Sequence, residues 1–255
     1  MKVFTWNTLH RDLAKPERYG PGPHLNWSHR LSLLQSIVAE QKADVVLLQE
    51  VDPCTFEAEW SEFFLVHGWT AVTLQPQKAK KLALWRENPQ PESRPFYLGL
   101  AILFRHSDWS IVPASVRHAS RDLLCRLEHR HTKVVWTVIN LHLPAKLTDA
   151  AYTKRLHKIR DKVQDVHAVI AGDFNCYTEN SLSALENHEA WTNAYEQACA
   201  KPTVTYRGGT PRLLDYVYTR GCSVSAVEWL EPHGRLPSAT FPSDHVGVSA
   251  TLYAQ

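Results

Sequence analysis

Eight acidic, amide and imidazole side chains stand where apolar runs end in this sequence, and together their types suit phosphoryl transfer. Asn7 closes the first run, Glu50 closes Val45-Val46-Leu47-Leu48-Gln49-Glu50, and His142 closes Val138-Ile139-Asn140-Leu141-His142. Asp173 and Asn175 follow Val169-Ile170-Ala171-Gly172, and Asp215 lies within Leu213-Leu214-Asp215-Tyr216-Val217-Tyr218. Asp244 and His245 precede Val246-Gly247-Val248. Hard oxygen donors suit Mg²⁺, which keeps several waters and takes one or two protein carboxylates. Glu50 is then the expected direct ligand, with Asn7 and Asp244 beside it or one layer out. A metal with an imidazolium neutralises the charge that develops on a phosphoryl group. A carboxylate flanked by an amide, Asp173 with Asn175, suits the orienting of an attacking water.

Taken singly, each residue has an ordinary reading. Asp and Asn after a glycine form turns, so Gly172-Asp173-Phe174-Asn175 is a turn or a site. Glu50 reads equally as a solvated loop carboxylate, and His142 as a hydrogen-bonded core histidine. Asp215 resists this reading, because a carboxylate among apolar residues is costly to bury unpaired.

The elements that must gather these side chains are legible in outline. Alternation marks Lys2 to Trp6 as a strand, and the unbroken run Ala43 to Leu48 as a buried one. Between them Leu31, Leu34, Ile37 and Val38 follow helical spacing from a Ser28 N-cap. Further strands are expected at Thr70–Leu74, Gly99–Phe104, Val134–Leu141, Ala168–Ala171, Leu214–Tyr218 and Val246–Leu252. Helices are expected at Thr55–His67, Ala150–Lys162 and Asn180–Ala200. Lys15–Pro23 and Trp85–Pro95 are punctuated by proline too densely for regular structure. The mixture predicts two packed sheets with helices on their outer faces, in one domain spanning residues 1–255. Strands that share a direction deliver their ends to a common rim, where a catalytic set can form.

Composition narrows the classes. The chain has 255 residues, 44% hydrophobic and 21% charged, the balance of a soluble globular protein. A net charge of +2 does not by itself call for nucleic acid, although a basic face remains open. Five cysteines without a C-x-x-C pair exclude a disulfide framework and a zinc knuckle. They read as reduced thiols in an intracellular setting, cytoplasmic or nuclear, or an organelle matrix if a leader has been removed. No apolar run approaches the length that spans a membrane.

In order along the chain, Trp6-Asn7, Leu48-Gln49-Glu50-Val51, Asn140-Leu141-His142, Gly172-Asp173-Phe174-Asn175, Leu214-Asp215-Tyr216-Val217 and Ser243-Asp244-His245 resemble the serial motifs of the endonuclease/exonuclease/phosphatase superfamily. Any one arises easily by chance; the ordered set does not. The resemblance implies an α/β fold, a four-layer α/β sandwich with two central mixed β-sheets flanked by helices. It also implies roles. Glu50 resembles the metal-binding glutamate, Asn7 the asparagine of the first motif, Asp173 the residue that orients or deprotonates water, and Asn175 its transition-state partner. His245 resembles the histidine on the scissile phosphate, Asp215 the carboxylate that holds it, and His142 a second phosphate-contacting imidazole. The implied cofactor is Mg²⁺, with Mn²⁺ able to substitute.

The stretch from Leu25 through Trp27 and Arg30 to Gln49-Glu50-Val51-Asp52 resembles the branch that holds deadenylases, nocturnin and Angel proteins, as does Leu236-Pro237-Ser238 with Pro242-Ser243-Asp244-His245. Leu98 departs from that branch, which commonly has an acidic residue there. The resemblance implies a 3′-to-5′ exoribonuclease acting on single-stranded RNA. The alternatives are a phosphatase of a nucleotide, dinucleotide or phosphoinositide, a DNA-repair phosphodiesterase or endonuclease, and a catalytically silent binding module. Lys78, Lys80, Lys81, Lys146, Tyr206 and Arg212 are the candidates for contacting a nucleic-acid or nucleotide partner. The Lys78–Lys81 run has a second reading as solvated surface. A monomer is expected.

Overall fold

The computed structural model describes residues 1–73, 85, 87–90, 94–119, 121–176, 182–186 and 190–255. Two mixed β-sheets face each other. The first orders β12 (Cys222–Trp229), β13 (Val248–Ala254), β1 (Lys2–Asn7), β2 (Val45–Val51), β4 (Gly99–Arg105) and β3 (Trp69–Thr73). The second orders β10 (Thr192–Asn193), β11 (Asp215–Arg220), β9 (His167–Asp173), β8 (Val135–His142), β7 (Asp122–His129) and β5 (Trp109–Ile111), with β6 (Arg117–His118) paired to β7. The β1–β2 and β8–β9 pairs are parallel. The other pairs are antiparallel.

Period-two alternation explains the layering. Val3, Val45, Leu47, Leu100 and Ile102 join the core shared with the second sheet. Their neighbours Phe4, Trp6, Val46, Leu48, Ala101 and Leu103 turn the other way, onto α2 (Trp27–Glu40) and α3 (Phe56–His67). There they meet Leu34, Val38, Phe56, Trp60 and Phe63. On the far side Tyr152, Leu156 and Ile159 of α4 (Asp149–Arg160) are buried with the second sheet. This is the sandwich of sheets and flanking helices that the sequence implied.

One amide fastens the sheets together. Asn140 of β8 is fully buried, donates to Leu48 O and Ala101 O at 2.8 Å each, and accepts from Gln49 Nε2 at 2.8 Å. A buried amide with its hydrogen bonds met fixes how the two layers align.

Several expectations need correction. Asn26 caps α2 in place of Ser28, its side chain accepting from the Ser28 and His29 amides. The segment Lys15–Pro23 is not without structure, because it forms α1 (Pro16–Tyr19) and enters a 3-10 turn at Pro23–Leu25. Proline at the first helical position makes both possible. Among the described residues of the stretch expected as one helix, Asn180–Ala200, stand two four-residue helices, α5 (Ser183–Glu186) and α6 (Ala194–Gln197), and the short strand β10. β12 has no clean alternation in the sequence because a bulge between Val224 and Ala226 breaks it, so Val224 and Val227 are both buried three residues apart. Leu74, the end of one expected strand, lies outside the described residues. Among the described residues no helix is long and apolar enough to cross a membrane.

Candidate functional site

Sheet register brings the polar strand ends together. In the second sheet His142 pairs with Asp173, and Asp173 pairs with Asp215, so three adjacent strands present three site side chains side by side. Gly172 makes that packing possible. Its φ is 145°, and a Cβ there would meet Leu141 O at 2.0 Å, so no other residue fits without moving a strand.

From the facing sheet come Asn7 and Glu50. Strict alternation would put Glu50 on the helix side with Val46 and Leu48. Instead the register of β2 shifts between Gln49 and Val51, and Glu50 has φ of 59°. The bulge turns its carboxylate back toward the second sheet. Glu50 Oε1 then lies 3.2 Å from Asn7 Nδ2 and 3.7 Å from His142 Nε2, while Oε2 accepts from the His10 amide at 2.9 Å. A strained backbone at a carboxylate facing a cleft is a common mark of function.

Asp173 is the most heavily bonded group. It accepts from Asn7 Nδ2 at 3.0 Å, Asn175 N at 2.8 Å and Asn175 Nδ2 at 3.1 Å. His142 Nε2 and His245 Nε2 each stand 3.7 Å away. Asn175 takes φ of 48° to make these contacts, and its amide also donates to Leu143 O at 2.9 Å. Asn7 is expected beside the metal-binding carboxylate or one layer out; its oxygen accepts from the Leu9 amide at 3.0 Å, and its NH₂ bridges Glu50 and Asp173.

His245 Nδ1 lies 2.9 Å from Asp215 Oδ2, and both are buried. Thr205 Oγ1 accepts from the Leu214 and Asp215 amides at 3.0 and 3.1 Å, and Tyr195 OH donates to Asp215 O at 2.6 Å. Those two residues, which fix where Asp215 sits, carry no signal in the sequence. Trp6 Nε1 donates to His245 O at 2.8 Å, anchoring the loop from the first sheet.

The electrostatics follow from this crowding. Burial alone would raise the Glu50 carboxyl, but His142, the His10 amide and His245 outweigh it and hold it below its ordinary value. Burial and the nearby Asp215 raise Asp173 against the pull of His245. Burial alone would lower His245, yet Asp215 and Asp173 push it up to about 10. Burial keeps His142 below its ordinary value. The set therefore offers an ionised carboxylate, a carboxylate near its protonation point and an imidazolium charged at neutral pH. Atoms of Asp173, Asp215 and His245 come within 4.8 Å of one another, but Asp215 is committed to the imidazole.

Glu50, His142, Asp173, Asn175, Asp244 and His245 all line a cleft of about 710 Å³. Of the expected substrate contacts, Lys146, Tyr206 and Arg212 line it too. Lys78, Lys80 and Lys81 lie outside the described residues. Arg18 and Arg121 line the cleft without having been singled out by any motif. Arg18 belongs to the proline-punctuated stretch that reads as a loop, and Arg121 stands just before β7, a strand with no counterpart among the expected ones. Leu98 also lines the cleft, so the departure noted there replaces a charge with an apolar wall. Asp244 faces the cleft but accepts from Tyr19 OH at 2.7 Å, with Arg18 Nη2 at 3.7 Å. Gly208 packs so close that a Cβ would meet Asp244 Oδ2 at 2.3 Å.

Comparison with known proteins gives these features a context. The model of the Endonuclease/Exonuclease/phosphatase family matches residues 4–245. The CCR4-Not complex 3′-5′-exoribonuclease subunit Ccr4 of Saccharomyces cerevisiae is 21% identical over 97% of this chain and 38% of its own length. The 2′,5′-phosphodiesterase 12 of Bos taurus is 23% identical over 89% of this chain and 46% of its own length. The chain thus spans less than half of either relative. Among solved structures, the human nocturnin catalytic domain with bound sulfate aligns with a TM-score of 0.71 and 19% identity, covering 100% of this chain and 93% of that one.

Proposed function

Because the chain belongs to the endonuclease/exonuclease/phosphatase family, and is therefore a phosphoric ester hydrolase, we propose that it is a divalent-metal-dependent phosphodiesterase that shortens single-stranded RNA from the 3′ end. One observation carries the choice of a diester. Cations flank the catalytic set on two sides, Arg121 near His142 and Glu50, and Arg18 beside Asp244 and Tyr206. A phosphomonoester has only one charged group to hold, whereas a diester between nucleotides extends both ways from the scissile phosphate. Ccr4 is a 3′-5′-exoribonuclease and 2′,5′-phosphodiesterase 12 a diesterase by name, and both names fit a diester substrate.

The donor set fits a hard divalent cation. Glu50 is kept ionised, and it shares one amide donor with Asp173, so two carboxylates converge where a positive ion would relieve their repulsion. Glu50 would hold Mg²⁺, with Mn²⁺ as a substitute, and the ion would supply charge neutralisation at the phosphate. Asp173, raised toward neutrality, orients and deprotonates the attacking water, held at its angle by Asn7 and Asn175. His245, charged through Asp215, binds a phosphate oxygen through Nε2. His142 binds a second one, and Asp244 acts from behind by positioning Arg18 and Tyr19.

The experiment is to incubate the protein with Mg²⁺ and 5′-labelled single-stranded RNA, single-stranded DNA, nucleoside monophosphates and a phosphoinositide. A ladder shortening from the 3′ end with release of nucleoside 5′-monophosphates is expected. Phosphate release from a monophosphate or phosphoinositide, with intact RNA, would overturn the reading.

A further inference from the structure

We infer that a second groove beside the catalytic cleft carries the backbone of the same RNA strand several nucleotides away from the scissile phosphate. The inference rests on the phosphodiesterase reading above. The groove holds about 390 Å³, and Lys201, Arg207, Trp229, Glu231 and His233 line it.

Cleft and groove share a wall. Tyr206 lines the cleft, and the next residue, Arg207, lines the groove. Tyr206 pairs antiparallel with both Arg212 and His245, so the segment is extended and consecutive side chains leave it on opposite sides. Arg207 is fixed on its side. Its amide donates to Asp244 O at 2.8 Å and its Nη1 to Pro232 O at 2.8 Å.

A strand leaving the cleft must cross the rim of this wall, and the rim is cationic. Arg235 Nη2 donates to Arg18 O at 2.6 Å, which ties the loop bordering the groove to the segment that puts Arg18 in the cleft. Arg18 thus stands at the cleft with Arg235 bonded to its backbone, and Arg207 and Lys201 line the groove. Trp229 packs against both hydrophobic cores and is half-buried where it lines the groove, so the part of it that faces the groove is an apolar surface against which a base can lie without regard to sequence. A cationic track with an aromatic platform is what binds single-stranded nucleic acid non-specifically. Glu231 is the one carboxylate among the groove's described lining residues, and it gives the test a second direction.

The test compares a dinucleotide with a single-stranded RNA of about ten nucleotides. Wild-type kcat/KM is expected to rise at least about tenfold with length. Lys201→Glu with His233→Glu removes that gain while dinucleotide turnover stays unchanged, and Glu231→Lys enlarges it. Binding of the longer strand to an inactive Asp173→Asn form, read by fluorescence anisotropy, loses about one unit of salt dependence when Lys201 is replaced. Equal kcat/KM for the two lengths, or a length gain untouched by either charge change, would overturn the groove. A wild-type protein that cleaves neither strand would instead remove the phosphodiesterase reading.

Discussion

The Nδ1 atom of His245 sits 2.9 Å from Oδ2 of Asp215, with both side chains buried and the far nitrogen turned toward Asp173 at 3.7 Å. A carboxylate on one ring nitrogen fixes the tautomer and stabilises the charged ring. The imidazole is thereby raised from 6.5 to about 10, so it enters the neutral range already protonated. A charged imidazole can bind phosphate but cannot take a proton, which accords with the proposed role of Asp173 as the base.

The sign of the pH dependence follows. His245 is raised in the folded chain, so its contribution to stability is fully present below pH 6.5 and is lost as pH rises toward about 10. Asp215→Asn removes the main influence that opposes burial. Thermal unfolding of the wild type should weaken across that window, while the variant's should be flatter. The alkaline limb of kcat/KM should move to lower pH, with about a 10²-fold loss at neutrality. An unmoved alkaline limb would remove His245 from the charge balance of the reaction.

Glu50→Ala is expected to abolish turnover through loss of metal affinity, because Asn7 and Asp173 alone leave one carboxylate at the convergence. Calorimetric titration with Mg²⁺ should show binding in the wild type and none in the variant, with circular dichroism unchanged. A chelator should silence the wild type reversibly. Turnover by Glu50→Ala at low Mg²⁺ equal to that of wild type would sink the assignment.

Asp173→Asn should lower kcat by about 10²- to 10⁴-fold with little change in substrate affinity, because an amide cannot accept a proton from water. Asn7 and Asn175 donate to Asp173, and an amide in its place gives them one acceptor oxygen instead of two. A variant that keeps its turnover and loses binding would make Asp173 a structural residue.

Much of this arrangement is legible in the amino-acid sequence, for a physical reason. A strand end announces itself when an apolar run meets a carboxylate or imidazole, and parallel strands share a rim. Hence Asn7, Glu50, His142, Asp173, Asp215 and His245 can be named from their positions and do converge. What stays hidden depends on distance in space. Thr205 and Tyr195 hold Asp215 from segments 10 and 20 residues away through ordinary hydroxyls. The turn of Glu50 depends on a bulge, which alternation cannot express. Arg18 and Tyr19 are masked because three prolines and two glycines between Lys15 and Pro23 read as a bare loop. Asn140 looks like one more polar residue near a strand end, although its work is to join the sheets.

That joining can be measured. Asn140→Leu removes the amide donor from Leu48 O and Ala101 O in a dry interior, and leaves Gln49 Nε2 with Thr5 Oγ1 and Leu47 O alone. A loss of about 2–4 kcal/mol is expected, enough to lower Tm by several degrees in a chain of this size. Residual activity at low temperature should survive, since the side chain does not reach the cleft. A Tm within a degree of wild type would mean that core packing alone aligns the sheets.

Asp244 precedes His245 in the chain, a position that invites a reading as a metal ligand. Asp244 Oδ2 accepts from Tyr19 OH at 2.7 Å, with Arg18 Nη2 at 3.7 Å, and its backbone oxygen holds the Arg207 amide at 2.8 Å. Burial raises its carboxyl above the ordinary value, against the pull of His245, Tyr19 and Arg18. Tyr19→Phe keeps the ring, which packs against Leu9 and Ala14, and deletes only the hydroxyl. A hydrogen bond to a buried carboxylate is worth about 1.5–3 kcal/mol, so a stability loss of that order is expected. Arg18 keeps its bond to Tyr206 OH but faces an Asp244 that has lost a donor, and KM for an RNA strand should rise several-fold while kcat changes little, the pattern of lost uniform binding. The Mg²⁺ concentration for half-maximal activity should not move. A shift in that concentration with unchanged KM would make Asp244 part of the metal site and Tyr19 its support.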